Sequence, residues 1–314
     1  MISDRLMIEV DGLVKTFGSG DDAVHAVRGV DFSVNEGEIF GLLGANGAGK
    51  STIVLMLATL LSPSGGTARV NGHDVLKDPI KVRQSFGAAL QETGLDPLQK
   101  AGELLELHGR LYGYSKQAAA ARAVELLEVV GLTDDRERRV GTYSGGMRRR
   151  LDLAAALIHR PPVLFLDEPT TGLDPASRRA IWDEVEELRK QGVTVLLTTQ
   201  YLEEADQLAD NVAIMADGVI AKIGTPEQLK SGMGADVVDV QFADVETAER
   251  AAAVIGPEAK VAGHEIRVNA TDGPAVLADL IGRLREAGIE TKGVSLTQPT
   301  LDDVFLNLTD GASK

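Results

Sequence analysis

No cysteine occurs in this 314-residue chain, so neither a disulfide framework nor a cysteine metal site can organise it. No apolar run approaches the ~20 residues that a membrane-spanning helix needs. The stretch MISDRLMIEV lacks the charged-then-apolar pattern of a secretion signal. Together these absences predict a soluble protein of a reducing compartment. Positive charge is scarce too: 32 Lys and Arg stand against 47 Asp and Glu, a net charge of −15. General nucleic-acid binders displace counterions from phosphates with a basic surface. No nucleic-acid partner is therefore expected, although the sequence leaves room for a local basic patch such as Arg148, Arg149 and Arg150.

What is present suffices for a substantial core. Hydrophobic residues make up 44% of the chain, and the length suits one large domain or two ordinary ones. The stretch TVLLTTQYLEEAD, from Thr194, reads as a buried strand that ends in threonines, passes Gln200 and enters an acidic helical pattern. In open α/β sheets, the carboxyl ends of strands are where ligands bind.

A second strand end carries stronger chemistry. Ile39 to Leu43 is a short apolar strand, GANGAGKS (Gly44 to Ser51) is a glycine-rich loop, and Ser51 to Leu57 opens a helix. This is the G-x-x-x-x-G-K-[ST] phosphate loop in its strand–loop–helix setting. Gly44, Gly47 and Gly49 let the backbone curl so that N–H groups face phosphate oxygens, and the helix start adds its dipole. Asn46 and Ala48 belong to the same nucleotide-binding loop. Lys50 is expected to reach the β- and γ-phosphates, Ser51 to ligate Mg²⁺, and Thr52 to add a phosphate contact. In VLFLDEPTTGLDP, from Val163, four apolar residues run into Asp167 and Glu168. Alternation along a strand would point these carboxylates to opposite sides. Asp167 is then the holder of Mg²⁺ through a water, and Glu168 the general base for an attacking water. Pro169 ends the strand.

Between these motifs lies TYSGGMRRRLDLAAALIHRPPVLFLDEPTTGLD, a Ser-Gly-Gly turn, a basic amphipathic helix and the acidic strand. The order resembles the ATP-binding cassette (ABC) ATPases, over roughly residues 5 to 230. Their Leu-Ser-Gly-Gly-Gln signature reads Tyr143-Ser144-Gly145-Gly146-Met147 here, keeping the serine and glycines that make an anion site at a helix start. The resemblance implies that Ser144, Gly145 and Gly146 face ATP bound on a second copy in a head-to-tail dimer. It also implies that Phe17 stacks on adenine and that Gln91 touches Mg²⁺ or its water. Gly172, Leu173 and Asp174 would pass between the two copies. Gln200 stands where most of the family carries a histidine that contacts the γ-phosphate; its N–H can hydrogen-bond there, but it cannot become cationic.

TTQYLEEAD, the signature region and PTLDDVFLNLT look like the daunorubicin/doxorubicin-resistance ATP-binding subfamily, in which a separate membrane subunit makes the pore. The implied fold is α/β, a P-loop NTPase of ABC type: a RecA-like core, an antiparallel β subdomain and a helical subdomain at about residues 92 to 160. The implied function is ATP hydrolysis, with Mg²⁺, powering export of a drug-like, lipid or glycan substrate. The protein would be cytoplasmic, on the inner face of the membrane through its permease. In ELLELHGRLYGYS, Leu104, Leu105, Leu107 and Leu111 are candidates for the groove that receives the permease, with plain core packing at least as good a reading of each. A soluble ABC ATPase acting on nucleic acid or ribosomes is the alternative, disfavoured by one phosphate loop, no heptad run and the acidic balance. A non-hydrolysing regulator conflicts with the intact Asp167–Glu168 pair.

After GTPEQLKSGMGA, glycines mark a boundary near 231 to 235. Residues 235 to 314 read as a small α+β accessory module. Strands are expected at Val237 to Phe242, Glu265 to Val268 and Gly288 to Val294, with helices at Val245 to Val254 and Ala275 to Glu286. His264 is solitary and expected at the surface.

Overall fold

The computed structural model describes residues 5–91, 94–231, 236–297, 300–301 and 304–305. It divides into two compact units, Met1–Thr225 and Pro226–Lys314. Much of the glycine stretch that suggested a boundary, residues 232–235, lies outside the described residues, as do Glu92 and Thr93.

The first unit opens with two long antiparallel strands, β1 (Leu6–Phe17) and β2 (Val24–Asn35). Strand β3 (Ile39–Gly44) leads through the glycine-rich loop into α1 (Lys50–Leu57). Strands β4 (Gly65–Val70) and β5 (His73–Asp74) complete an antiparallel sheet of order β2-β1-β4-β5. Then follow α2 (Pro79–Ser85), β6 (Phe86–Ala89), α3 (Ala101–Leu111), α4 (Lys116–Val129) and α5 (Gly145–Ala156). The unit closes with β7 (Val163–Asp167), α6 (Pro175–Lys190), β8 (Thr194–Thr199), α7 (Leu202–Leu208), β9 (Asn211–Ala216) and β10 (Val219–Gly224).

The second sheet has the order β10-β9-β3-β8-β7-β6 and is parallel except at the β10 edge. A parallel sheet covered on both faces demands near-continuous apolar strands. Accordingly, every residue of β3, β7 and β8 is buried. Alternation divides β7 between two cores: Leu164 and Leu166 pack with helical Leu104, Leu127, Leu151 and Ile181, while Val163 and Phe165 pack with Ile53, Leu57 and residues of the antiparallel sheet. The consequence for the site lies in register. Leu43 pairs with Thr199, and Asp167 pairs with Thr198, so the carboxyl ends of β3, β8 and β7 lie side by side.

The second unit contains α8 (Pro226–Ser231), β11 (Asp236–Gln241), α9 (Val245–Ile255), β12 (Lys260–Ala262), β13 (Glu265–Ala270), α10 (Gly273–Glu286) and β14 (Gly293–Thr297). From β11 onward this is the split βαβ order, with an antiparallel sheet arranged β12-β13-β11-β14. Asp244 and Asp272 cap its helices by accepting from backbone N–H groups of Thr247 and Ala275. Two expectations are corrected. Strand β12 had no sequence signal, being three exposed residues. The last strand begins at Gly293 because Gly288, at φ +68°, ends α10, and Ile289 N–H still bonds to the Leu284 carbonyl. Of LDDVFLNL, only Leu301, Val304 and Phe305 are among the described residues.

Candidate functional site

The glycine-rich loop needs glycine at position 49 for two reasons. Its φ of +101° is left-handed, and a Cβ there would stand 2.4 Å from the Ala26 carbonyl oxygen. The turn delivers Lys50 to the buried first position of α1. Its Nζ donates to the carbonyls of Gly44 (2.7 Å) and Ala45 (3.0 Å) and lies 3.7 Å from Glu168 Oε1. Burial lowers its pKa from the ordinary lysine value, opposed by the nearby charges of Glu168 and Asp167.

Asp167 is the last residue of β7 and is buried. Its Oδ1 accepts from Ser51 Oγ at 3.0 Å and from Thr198 Oγ1. Glu168 corrects the expectation from strand alternation, because it lies beyond the strand with φ +49°. A left-handed backbone at a non-glycine residue before proline is disfavoured, by roughly 1–3 kcal/mol. Two bonds hold it: Glu168 N–H donates to the Thr198 carbonyl (3.1 Å) and to Thr198 Oγ1 (3.0 Å). It is this backbone turn, not pleating, that separates the two carboxylates. Glu168 Oε2 accepts from Thr171 Oγ1 at 3.2 Å.

A cavity of about 260 Å³ opens here, lined by Asn46, Gly47, Gly49, Lys50, Ser51, Thr52, Gln91 and Glu168, with Ala26 added from β2. Gly44 and Asp167 touch this lining through Lys50 and Ser51, and Ala48 is buried in the loop. Phe17, at the end of β1, is 42% exposed, and Lys15 Nζ stands 5.0 Å from its ring centroid. Gln200 follows β8, partly buried, and is not part of the lining.

Ser144, Gly145, Gly146 and Asp174 form a separate group. Ser144 caps α5, its Oγ accepting from Met147 N–H at 3.2 Å. Asp174 caps α6, accepting from Ala176 N–H (3.1 Å), Ser177 N–H (3.0 Å) and Ser177 Oγ (2.6 Å). The two helix starts meet closely, since a Cβ on Gly146 would lie 2.8 Å from Ser177 Oγ. Ser144 and Gly145 are exposed, and none of the group lines the loop cavity.

Sequence reasoning missed several polar residues. Arg149 does not belong to a surface patch: it is buried and bonds to carbonyls at the ends of β6 and β7. Its i,i+3 spacing to Asp152 was the available signal. Burial raises the Asp152 pKa to about 6, against the pull of Arg149. Within the acidic helical pattern, Glu204 is fully buried and accepts from Thr170 Oγ1 (2.8 Å) and Trp182 Nε1 (3.1 Å). Burial pushes its pKa up.

The four leucines read as groove or core do not share one role. Leu104 and Leu105 are core residues, and Leu107 is exposed without lining the groove. Only Leu111 of those four lines a cavity of about 560 Å³, together with Leu60, Leu90, His108, Tyr112, Asp152 and His159. The Tyr112 and His159 rings stack there at 4.1 Å between centroids.

Residues 27–171 match the ABC transporter family. The doxorubicin resistance ATP-binding protein DrrA of Mycobacterium tuberculosis is 44% identical over 317 residues, covering 98% of this chain and 95% of that protein. The daunorubicin/doxorubicin resistance ATP-binding protein DrrA of Streptomyces peucetius is 46% identical over 307 residues, covering 96% and 92%. Among solved structures, the dimeric post-hydrolysis state of the ATP-binding cassette MJ0796, bound to ADP and Pi, superposes with a TM-score of 0.65 at 25% identity, covering 70% of this chain and 98% of that one. The chain belongs to the ABC transporter family, as an ATP-binding subunit of the kind that hydrolyses ATP.

Proposed function

We propose that this protein powers an exporter: two copies close on ATP, and a separate membrane permease carries a drug-like, lipid or glycan cargo. The observation that carries this reading is the division of the site. Lys50, Ser51, Asp167 and Glu168 converge around the phosphate loop, while Ser144, Gly145 and Asp174 are exposed outside that cavity. The first set suits the phosphates of one ATP, and the second suits the γ-phosphate of ATP held by the other copy.

Lys50 would exchange its carbonyl partners for β- and γ-phosphate oxygens, and exposed Phe17 would stack on adenine. Ser51 Oγ and Asp167 Oδ1, 3.0 Å apart, are hard oxygens of the kind Mg²⁺ takes, with Gln91 on the same cavity wall. When bound, Mg²⁺ would neutralise phosphate charge. Glu168 takes a proton from water as the water oxygen attacks the γ-phosphorus and the bond to the bridging oxygen breaks, releasing ADP and phosphate. Gln200 donates an N–H to orient the γ-phosphate and supplies no charge.

The groove beside Leu111 and Tyr112 is the surface for the permease, which keeps the subunit at the inner membrane face. No helix among the described residues is long and apolar enough to cross a membrane. The test is Mg²⁺-dependent phosphate release by wild type and Glu168→Gln, each sized in ATP. Release by wild type and an inactive variant trapped as a dimer are expected. Equal rates in both proteins, or no ATP-dependent dimer, would overturn the reading.

A further inference from the structure

We propose that Arg149 is a positioning residue for hydrolysis, clamping the backbone turn that aims Glu168 and fastening it to the segment that carries Gln91. This rests on the assignment of Glu168 as general base.

The Arg149 side chain, 9% exposed, reaches inward from the second turn of α5. A guanidinium has five N–H donors in a planar fork, and here each has an acceptor. Nε donates to the Pro169 carbonyl at 3.0 Å. Nη2 donates to the carbonyls of Asp167 (2.8 Å) and Ala89 (3.3 Å). Nη1 donates to the Leu90 carbonyl (2.6 Å) and to Asp152 Oδ2 (3.3 Å).

The acceptors explain the purpose. Asp167 and Pro169 flank Glu168, so one guanidinium grips the carbonyls on both sides of the left-handed residue. Ala89 ends β6, and Leu90 runs directly into Gln91, which lines the same cavity as Glu168. A single rigid group thus fixes the spacing of two cavity walls. Leu90 and Asp152 also line the 560 Å³ groove, so the same group touches the groove and the turn. The Asp152 pair alone gives little reason for the arrangement, because a buried ion pair loses solvation that its attraction barely repays. The four carbonyls do draw stability from the guanidinium, so the test separates folding from hydrolysis.

The test uses the full chain, with hydrolysis kinetics, equilibrium ATP binding and thermal melting. Arg149→Lys keeps a charge for Asp152 but has three donors on a flexible stem. The pair Arg149→Met with Asp152→Leu removes both charges and leaves neither unpaired. Both proteins are expected to fold, melting below wild type because buried carbonyls lose a donor. Both should bind ATP with unchanged affinity and KM, while kcat falls roughly tenfold to a hundredfold, as when a supporting contact misplaces a reacting group. Wild-type kcat in the double variant would overturn the proposal, as would a raised KM with unchanged kcat. Loss of folding in both proteins would make Arg149 a structural residue instead. Glu168→Gln, run in parallel, separates the two assignments. If it is inactive while the Arg149 variants are normal, only this proposal falls. If it hydrolyses at the wild-type rate, the base assignment falls and takes this proposal with it.

Discussion

The starts of α1 and α5 both carry glycines, and they are built differently. The start of α1 is buried, turns on a left-handed Gly49, and holds a lysine against carbonyl oxygens beside two carboxylates. The start of α5 is exposed, is capped by its own Ser144 hydroxyl, and has no acidic residue in its first turn. The first has a cation, a pair of hard oxygens and the Glu168 carboxylate within its own chain. The second offers the Ser144 hydroxyl, which already accepts from Met147 N–H, and the N–H groups of its two glycines. Under the proposed function, the difference means one nearly complete phosphate site at α1 and one loose component at α5 that works when a ligand is brought to it.

Glu168→Gln should break the first site most severely. It keeps shape and hydrogen bonding but removes the base, so kcat should fall by about 10²–10⁴, with ATP affinity nearly unchanged. A steady-state rate within threefold of wild type would exclude Glu168 as base. Lys50→Ala ranks next. Loss of one preorganised charged donor costs about 10²–10³ in kcat, and here ATP binding by the isolated chain should weaken too. Fluorescent-nucleotide titration checks this, and unchanged affinity would mean the lysine stays with the Gly44 and Ala45 carbonyls.

Ser144→Ala sharpens the contrast. It removes a cap worth about 1 kcal/mol of helix stability, and it should leave ATP affinity of the isolated chain untouched while hydrolysis drops about tenfold. Mixing it with Lys50→Ala is more telling. In a head-to-tail mixed dimer, one site holds both lesions and the other holds neither. Activity in the mixture above that of either variant is expected, and its absence would place Ser144 in the site of its own chain.

Much of this was legible because the chemistry is local. The buried runs of β3, β7 and β8, the glycine loop and the Asp167–Glu168 pair each declare themselves within a few residues. The Glu168 turn was not legible, since its φ is enforced by Thr198, thirty positions away on β8. Arg149 was hidden more deeply, because four of its acceptors are backbone carbonyls. Every residue, whatever its side chain, offers the same backbone carbonyl, so no sequence pattern announces such a contact. Strand β12 failed for the opposite reason: it buries nothing, so it carries no apolar period.

The smallest effect concerns α6, whose Asp174 cap adjoins the Ser144 turn while its body lies elsewhere. Burial raises the Glu184 pKa from 4.5 to about 7, more than Arg150 opposes it, and one carboxylate oxygen has no partner. A folded pKa above the unfolded value means that its contribution to stability is full below about pH 4.5 and lost as pH rises through about 7. Glutamine stays neutral, so Glu184→Gln should escape that loss. Relative to wild type, the variant should gain on the order of 1 kcal/mol between pH 5 and pH 8. Asp152 titrates in both proteins and cancels. Trp182, the single tryptophan, sits on α6 and reports its unfolding by fluorescence in denaturant. An equal difference at both pH values would sink the assignment. A gain at pH 8 with unchanged hydrolysis would show that α6 can be stabilised without disturbing either helix start.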